Sequence, residues 1–178
     1  MHIHFRQTLW KNFAAGIDML KEIIRLCPEE IWARGDRFFY MTYHTAIFLD
    51  YYLSAPVRAF NPPLSYTLAD PDQLPENAVD DVIPNETYHR EQMQQWLTSL
   101  RARARVRTLD STDAELMDRW IQDDEIQLHL GCPSLVKDYS LLEILFYNLR
   151  HVQHHVAQLN QMLSKEGCQP AEWISYPD

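Results

Sequence analysis

Residues 140–165, SLLEILFYNLRHVQHHVAQLNQMLSK, form the clearest periodic stretch of the chain. Their apolar members recur at steps of three and four, which is the spacing that places residues on one face of an α-helix. That face consists of Leu145, Leu149, Val152, Val156, Leu159 and Leu163. Gly167 follows the stretch, and a glycine there is typical of a helix end. The pattern predicts a long amphipathic helix that packs against other helices.

Three more helices are expected before this one. Apolar periodicity predicts them over about residues 5–26, 37–54 and 85–107. Between residues 56 and 84, six prolines interrupt the pattern, so we expect a long irregular connection between helices 2 and 3. An all-α four-helix bundle would explain this long connection, because two parallel neighbouring helices need a long crossover between them. Thr112 and Glu115 fit a capping box, which predicts a short extra helix that reaches Leu116, Trp120 and Ile121.

The composition is that of a single globular domain over residues 1–178. Apolar residues make up 46% and charged residues 23% of the chain, as in folded rather than disordered proteins. The net charge of -9 argues against a nucleic-acid partner, and we interpret the arginines of residues 101–107 as a solvated helix end. Three cysteines without a CxxC motif support neither a disulfide framework nor a cysteine-based zinc site. Without a long apolar run or a leader pattern, we expect no membrane partner and a cytoplasmic location.

Two histidines of the last predicted helix are candidate metal ligands. His151 and His155 stand four residues apart, so both imidazoles point to nearly the same side, whereas His154 falls on the polar side. In an apolar interior each unsatisfied ring nitrogen would cost about 1–3 kcal/mol. A bound metal ion satisfies one nitrogen of each ring. Such pairs also occur on solvated helix faces, so the pair by itself does not establish a site.

A third histidine strengthens this interpretation. His44 lies in the second predicted helix on an apolar side that must face inward, where a lone histidine would usually be a core residue bonded to a neighbour. Together with an inward pair on another helix, it predicts one site formed by His44, His151 and His155. Three imidazoles suit Zn, Ni, Fe or Cu rather than Mg or Ca, and they leave a coordination position open. Further candidate residues of the pocket are Tyr40, Tyr51 and Asn148, for each of which packing, or support of a ligand, is the favoured interpretation; no general base is predicted.

The stretch LRHVQHHVAQL, residues 149–159, resembles the last-helix motif of the DinB-like superfamily, also called the YfiT-like metal-dependent hydrolases. That motif is roughly H-x-x-H-H-x-x-Q, and its first and third histidines are metal ligands. They correspond to His151 and His155, and Gln158 occupies the glutamine position. The remaining ligand of the family is a histidine on the second helix, which His44 matches. The resemblance implies the fold of the family, a four-helix bundle of up-down-down-up order.

The resemblance also implies a metal-dependent enzyme that acts on a small molecule. Hydrolysis and transfer of a low-molecular-weight thiol are the reactions expected, with Zn or Ni as the first choice of ion and Fe as the next. Because many members have Arg-Gly where this chain has Val156 and Ala157, no subgroup follows. Two alternatives stay open: a non-catalytic metal- or ligand-binding domain, and a helical interaction module without metal. Self-association as a homodimer through apolar helix faces is also an open prediction.

Overall fold

The computed structural model describes residues 3–175, and this part of the chain is mostly helical. Its helices are α1 (Ile3–Leu26), α2 (Glu29–Trp32), α3 (Arg37–Leu53), α4 (Arg90–Leu109), α5 (Asp113–Met117) and α6 (Leu141–Lys165). A small antiparallel sheet joins β1 (Tyr66–Leu68) to β2 (Val82–Pro84). The expectation of a helical protein is therefore confirmed, with this hairpin as an addition. Within residues 3–175, none of the helices is long and apolar enough to cross a membrane.

Capping residues fix where α3 and α6 begin. The side chain of Asp36 accepts a hydrogen bond from the backbone N–H of Phe38 at 3.0 Å, in front of α3. Ser140 and Glu143 form a reciprocal capping box at the start of α6. Each cap satisfies backbone N–H groups that the first turn of a helix leaves without partners. After α6, Gly167 adopts a positive φ of 75°, as expected for a residue that ends a helix.

The four long helices surround one hydrophobic core. α1 contacts α4 and α6, and α3 contacts the same two helices. The apolar face predicted for α6 is buried along its whole length, which confirms the periodicity argument. Fully buried side chains from the other helices include Ile17, Leu20, Ile47 and Leu97. The burial of these aliphatic faces is the main force that holds the helices together.

The connection between α3 and α4 is more ordered than predicted. β1 and β2 pair with Thr67 opposite Ile83, and β2 contacts α3. Residues before α4 are tied back to the hairpin, since the Tyr88 hydroxyl donates to the carbonyl of Ser65 at 2.7 Å. α4 begins at Arg90, later than the periodicity suggested, where the backbone N–H of His89 donates to Oε1 of Gln92 at 2.8 Å. Three-residue strands are too short to leave a visible alternation in the sequence.

The capping box of Thr112 and Glu115 is present, and it starts α5 as predicted. The helix is shorter than expected, because it ends at Met117. Trp120 and Ile121 therefore lie beyond it, although both side chains are buried. The prediction was right about where the helix begins and wrong about how far it extends.

Three of the four arginines in residues 101–107 are not solvated, which corrects the sequence interpretation for them, while Arg105 is exposed. Arg101 binds both carboxylate oxygens of Asp18 on α1, at 2.8 and 3.0 Å. Arg103 binds the buried carboxylate of Asp50 on α3. Arg107 donates to a backbone carbonyl at the end of α3, at 3.2 Å. Their alternate spacing directs these cations toward two neighbouring helices, so they join α4 to its partners.

Candidate metal centre

α3 and α6 bring the three predicted histidines together. Nε2 of His151 lies 3.0 Å from Nε2 of His44 and 3.1 Å from Nε2 of His155. One ring nitrogen from each residue lies within 4.8 Å of the other two, which is close enough to hold one metal ion. The convergence expected from the sequence is thus confirmed. We call His44, His151 and His155 the histidine cluster.

The register between α3 and α6 is fixed next to the cluster. Asn148, which is fully buried one turn before the first histidine of α6, donates from Nδ2 to the carbonyl of Leu49 at 3.1 Å. Tyr52 and Tyr147 pack edge to face, with 5.4 Å between ring centroids. These contacts limit sliding of one helix along the other. They therefore position the two histidines of α6 opposite the one of α3.

The cluster is shielded from solvent. His44 is 9% and His155 8% exposed, and His151 is half-buried. Phe48 covers two of the rings, with centroids 4.7 Å from that of His44 and 5.8 Å from that of His151. His154 is exposed, as its position on the polar side predicted. Ligands to a metal in this position would sit in a partly desolvated environment.

Burial keeps two of the imidazoles neutral at neutral pH. Desolvation, followed by the neighbouring His44, lowers the pKa of His151 to about 2. The same two causes, in the same order, lower the pKa of His155 to about 4. A histidine must be neutral to offer a ring nitrogen to a metal ion. At pH 7, His151 and His155 can therefore bind a metal ion without first releasing a proton.

The outer ring nitrogens indicate which tautomers are present. Nδ1 of His155 lies 2.8 Å from Oε1 of Gln158. Nδ1 of His44 lies 2.9 Å from Oδ2 of Asp80, a close approach whose alignment falls outside that of a hydrogen bond. An oxygen facing Nδ1 favours the proton on that nitrogen and leaves the lone pair on Nε2. Nδ1 of His151 is buried and has no hydrogen-bond partner among residues 3–175.

This arrangement fits a metal ion. With the proton on Nδ1 of His44 and of His155, both rings turn an Nε2 lone pair toward His151, which has one N–H at most to offer them. A divalent cation can accept a lone pair from all three rings. Bonds from zinc to imidazole nitrogen are about 2.0–2.1 Å long, so adjacent ligand nitrogens lie roughly 3.0–3.4 Å apart. Two of the separations, 3.0 and 3.1 Å, agree with that spacing, and the third pair of ring nitrogens lies within 4.8 Å.

The other candidate pocket residues have roles in packing. Asn148 holds α6 in register with α3 through its hydrogen bond to the carbonyl of Leu49. The ring of Tyr51 packs edge to face against Phe60 and Trp120. Tyr40 is half-buried, and its ring contacts Phe39. These contacts explain how the three side chains pack, while the Tyr51 hydroxyl and Oδ1 of Asn148 are buried without a hydrogen-bond partner among residues 3–175.

Sequence reasoning missed Asp80. It lies in the proline-rich connection, where no periodicity relates a residue to a helix face. Its approach to His44 depends on the path of the connection across α3, which the sequence does not encode in any local spacing. An acidic residue in a long connection was the sole available indication, and many others share that property.

Open space adjoins the cluster on the outer side of α6. A groove of about 530 Å³ is lined by Tyr147, Arg150, His151, Gln153 and His154. Because His151 belongs to both, a small molecule in the groove would lie next to the cluster. A larger groove of about 740 Å³ runs along α1 and α4 and includes none of the three histidines. We therefore regard the smaller one as the candidate substrate site.

Comparisons with protein-family models, curated proteins and solved structures found no match for this chain. The resemblance to the DinB-like superfamily accordingly remains a prediction, carried by the three histidines and Gln158.

Proposed function

We propose that the chain is a DinB-like, metal-dependent enzyme whose histidine cluster binds one divalent transition-metal ion. The observation that carries the proposal is the convergence of three Nε2 atoms, with separations of 3.0 and 3.1 Å from the central one. Neutral imidazole donors suit Zn and Ni first and Fe next, and they disfavour Mg and Ca. The substrate is a small molecule, and the reaction is hydrolysis or transfer of a low-molecular-weight thiol.

The proposed fold is the four-helix bundle of up-down-down-up order that the resemblance implies. Residue numbers rise together in the contacts between α3 and α4, as in parallel helices. They run in opposite senses between α1 and α4 and between α3 and α6. The supporting pairs are Tyr43–Trp96 and Asp50–Arg103, Lys21–Thr98 and Asp18–Arg101, and His44–His155 and Tyr52–Tyr147. The hairpin connection spans the crossover between the parallel pair.

The chain's own residues prepare the site for this chemistry. A bound divalent ion lowers the pKa of a coordinated water or thiol and so supplies a nucleophile near neutral pH. Gln158 holds His155 in the tautomer whose Nε2 is free. Phe48 excludes water from one side of the cluster. The groove beside His151 offers space for the substrate, and Arg150 supplies a positive charge at its edge.

A non-catalytic metal-binding domain is the second candidate. The low exposure of His44 and His155, 9% and 8%, favours it, because structural metal sites are closed to solvent. Both candidates predict a bound ion, and they differ in whether a coordination position is available to a substrate. Turnover, rather than metal content, separates them.

Elemental analysis of the untagged protein tests the metal site. We expect about one Zn or Ni ion per chain, and loss of at least about 100-fold in affinity for His151→Ala, because a ligand is removed from a three-ligand site. His154→Ala is the matched control: it is the same substitution on the same helix, at an exposed position. Wild-type protein without stoichiometric metal after incubation with Zn and Ni would contradict the proposal, as would equal losses in both variants.

A screen of ester hydrolysis and of thiol transfer then tests for catalysis. An enzyme loses turnover with His151→Ala and keeps it with Gln161→Ala, a change at an exposed position of the same helix outside the groove. Retained metal without turnover in either screen would favour the non-catalytic domain.

A further inference from the structure

The connection between α3 and α4 brings a carboxylate to the histidine cluster. Oδ2 of Asp80 lies 2.9 Å from Nδ1 of His44, the ring nitrogen that does not face the other two histidines. Oδ1 of the same carboxylate accepts the backbone N–H of Val82 at 3.0 Å, where β2 begins. One oxygen thus fixes the side chain to the sheet, and the other faces the imidazole.

The backbone around Asp80 is anchored on both sides. Arg37, in the first turn of α3, donates to the carbonyl of Ala78. After Asp80, the carbonyl of Asp81 accepts a backbone N–H from the residue that follows β1, at 2.8 Å. Arg37 and His44 are seven residues apart on α3 and so lie on the same side of the helix. One helix face therefore carries both the anchor of the connection and the candidate ligand.

We infer that Asp80 is a positioning residue of the metal site. Its carboxylate keeps the proton of His44 on Nδ1, so that the lone pair of Nε2 is directed to the ion. A carboxylate partner orients a ligating imidazole and raises its basicity, and its loss typically weakens metal binding about 10–100-fold. This inference rests on the proposed metal site. It assigns the long connection a role beyond joining two parallel helices, since it supplies the residue that orients a ligand.

Asp80→Asn is the informative substitution because it keeps the size of the side chain. Asparagine has one oxygen and one amide NH₂ group. It therefore cannot accept the N–H of Val82 with one oxygen and turn a second oxygen to Nδ1 of His44. If its oxygen keeps the bond to Val82, the NH₂ group faces the ring and disfavours a proton on Nδ1. Asp81→Asn is the matched control, since it makes the same change of charge at the adjacent, exposed position.

The first measurement is zinc affinity, by competition with a chromophoric chelator. We expect Asp80→Asn to bind zinc about 10–100-fold more weakly than wild type, and Asp81→Asn to match wild type within about twofold. Thermal unfolding of the metal-free variants shows that both are folded. Equal affinities of the two variants would overturn the inference.

The second measurement is the tautomer of His44 in the metal-free protein, from long-range ¹H–¹⁵N correlation spectra. We expect the proton on Nδ1 in wild type and in Asp81→Asn, and a substantial Nε2–H population in Asp80→Asn. A proton on Nε2 of His44 in wild type would overturn the inference. If wild type bound no zinc, the proposed function would fail, and these spectra would still decide whether Asp80 orients the ring.

Discussion

α3 carries two buried polar clusters that differ in how their hydrogen-bonding groups are satisfied. Toward α4, the carboxylate of Asp50 is 2% exposed and accepts hydrogen bonds from Nε1 of Trp96, at 2.7 Å, and from Arg103. We call these three residues the Asp50 cluster. Toward α6, the histidine cluster turns its Nε2 atoms to one another, and one of its outer nitrogens, Nδ1 of His151, has no partner within residues 3–175.

The difference separates a structural cluster from a candidate binding site. In the Asp50 cluster, the ionised acceptor faces two donors, one of them cationic, so the cost of burying the carboxylate is compensated. In the histidine cluster, lone pairs face a common centre, which is unfavourable unless a cation or a proton occupies it. Burial of a polar group does not by itself indicate a ligand, whereas several ring nitrogens that converge on one point favour a cation there.

Removing the central side chain of the Asp50 cluster should therefore damage the fold and not the metal site. For Asp50→Ala we expect the free energy of unfolding to fall by about 3 kcal/mol, because the buried indole N–H of Trp96 loses its acceptor and Arg103 loses its counter-ion. Urea unfolding of the metal-free protein measures this loss. Zinc affinity at a temperature where the variant is folded should match that of wild type.

His44→Ala, on the same helix, should have the opposite effect: it should damage the metal site more than the fold. It should abolish stoichiometric zinc binding while lowering the stability of the metal-free protein by less than Asp50→Ala does. Should Asp50→Ala weaken zinc binding as strongly as His44→Ala, the two clusters would be coupled, and the division between a structural cluster and a binding site would be wrong.

The two clusters also differ in how far the sequence predicts them. His151 and His155 share a helix, so a spacing of four residues relates them directly, and the apolar surroundings of His44 indicated that it points inward. No comparable pattern exists for Asp50. An aspartate in an amphipathic helix resembles a surface residue, and the interpretation of Arg103 as solvated followed from the same local view.

The contacts that escaped prediction are those between elements far apart in the chain. Arg103 finds Asp50 because α3 and α4 pack in a particular register, which depends on the whole core. Asp80 reaches His44 through the path of the hairpin connection. Local periodicity determines which side of a helix is buried, and it contains no information on which residue of another element lies opposite. The convergence of the three histidines was therefore predictable from the sequence, and the approach of Asp80 to one of them was not.

Acid should destabilise the metal-free protein through the histidine cluster. Below pH 6.5, histidines of the unfolded chain bind protons, whereas His155 in the folded chain does so near pH 4 and His151 near pH 2. The unfolded state thus binds more protons, and the free energy of unfolding falls as the pH falls from 6.5 toward 4. By pH 5.5 we expect a loss of about 2 kcal/mol relative to pH 7.5, measured by urea unfolding in the presence of a chelator.

Two variants test whether this pH dependence of stability arises from the histidine cluster. The double variant His151→Gln, His155→Gln should lose less stability than wild type over the same pH interval, since the two groups whose pKa is lowered by burial are gone. His154→Gln, at an exposed position of the same helix, should lose as much as wild type. The same loss in wild type and in the double variant would show that the acid sensitivity arises elsewhere.

The smallest expected effect concerns the neutral partner of the cluster. Gln158 accepts through Oε1 at 2.8 Å from Nδ1 of His155 and so fixes its tautomer. Gln158→Ala should weaken zinc binding about tenfold, near 1.4 kcal/mol, while Gln158→Glu should bind at least as well as wild type, because a carboxylate is the stronger acceptor. Gln161→Ala, exposed on the next turn, is the control for chelator competition. Equal zinc affinities for Gln158→Ala and Gln161→Ala would show that packing alone orients the imidazole of His155. The contrast with the Asp50 cluster, whose polar groups all have partners, would then rest on His151 and not on His155.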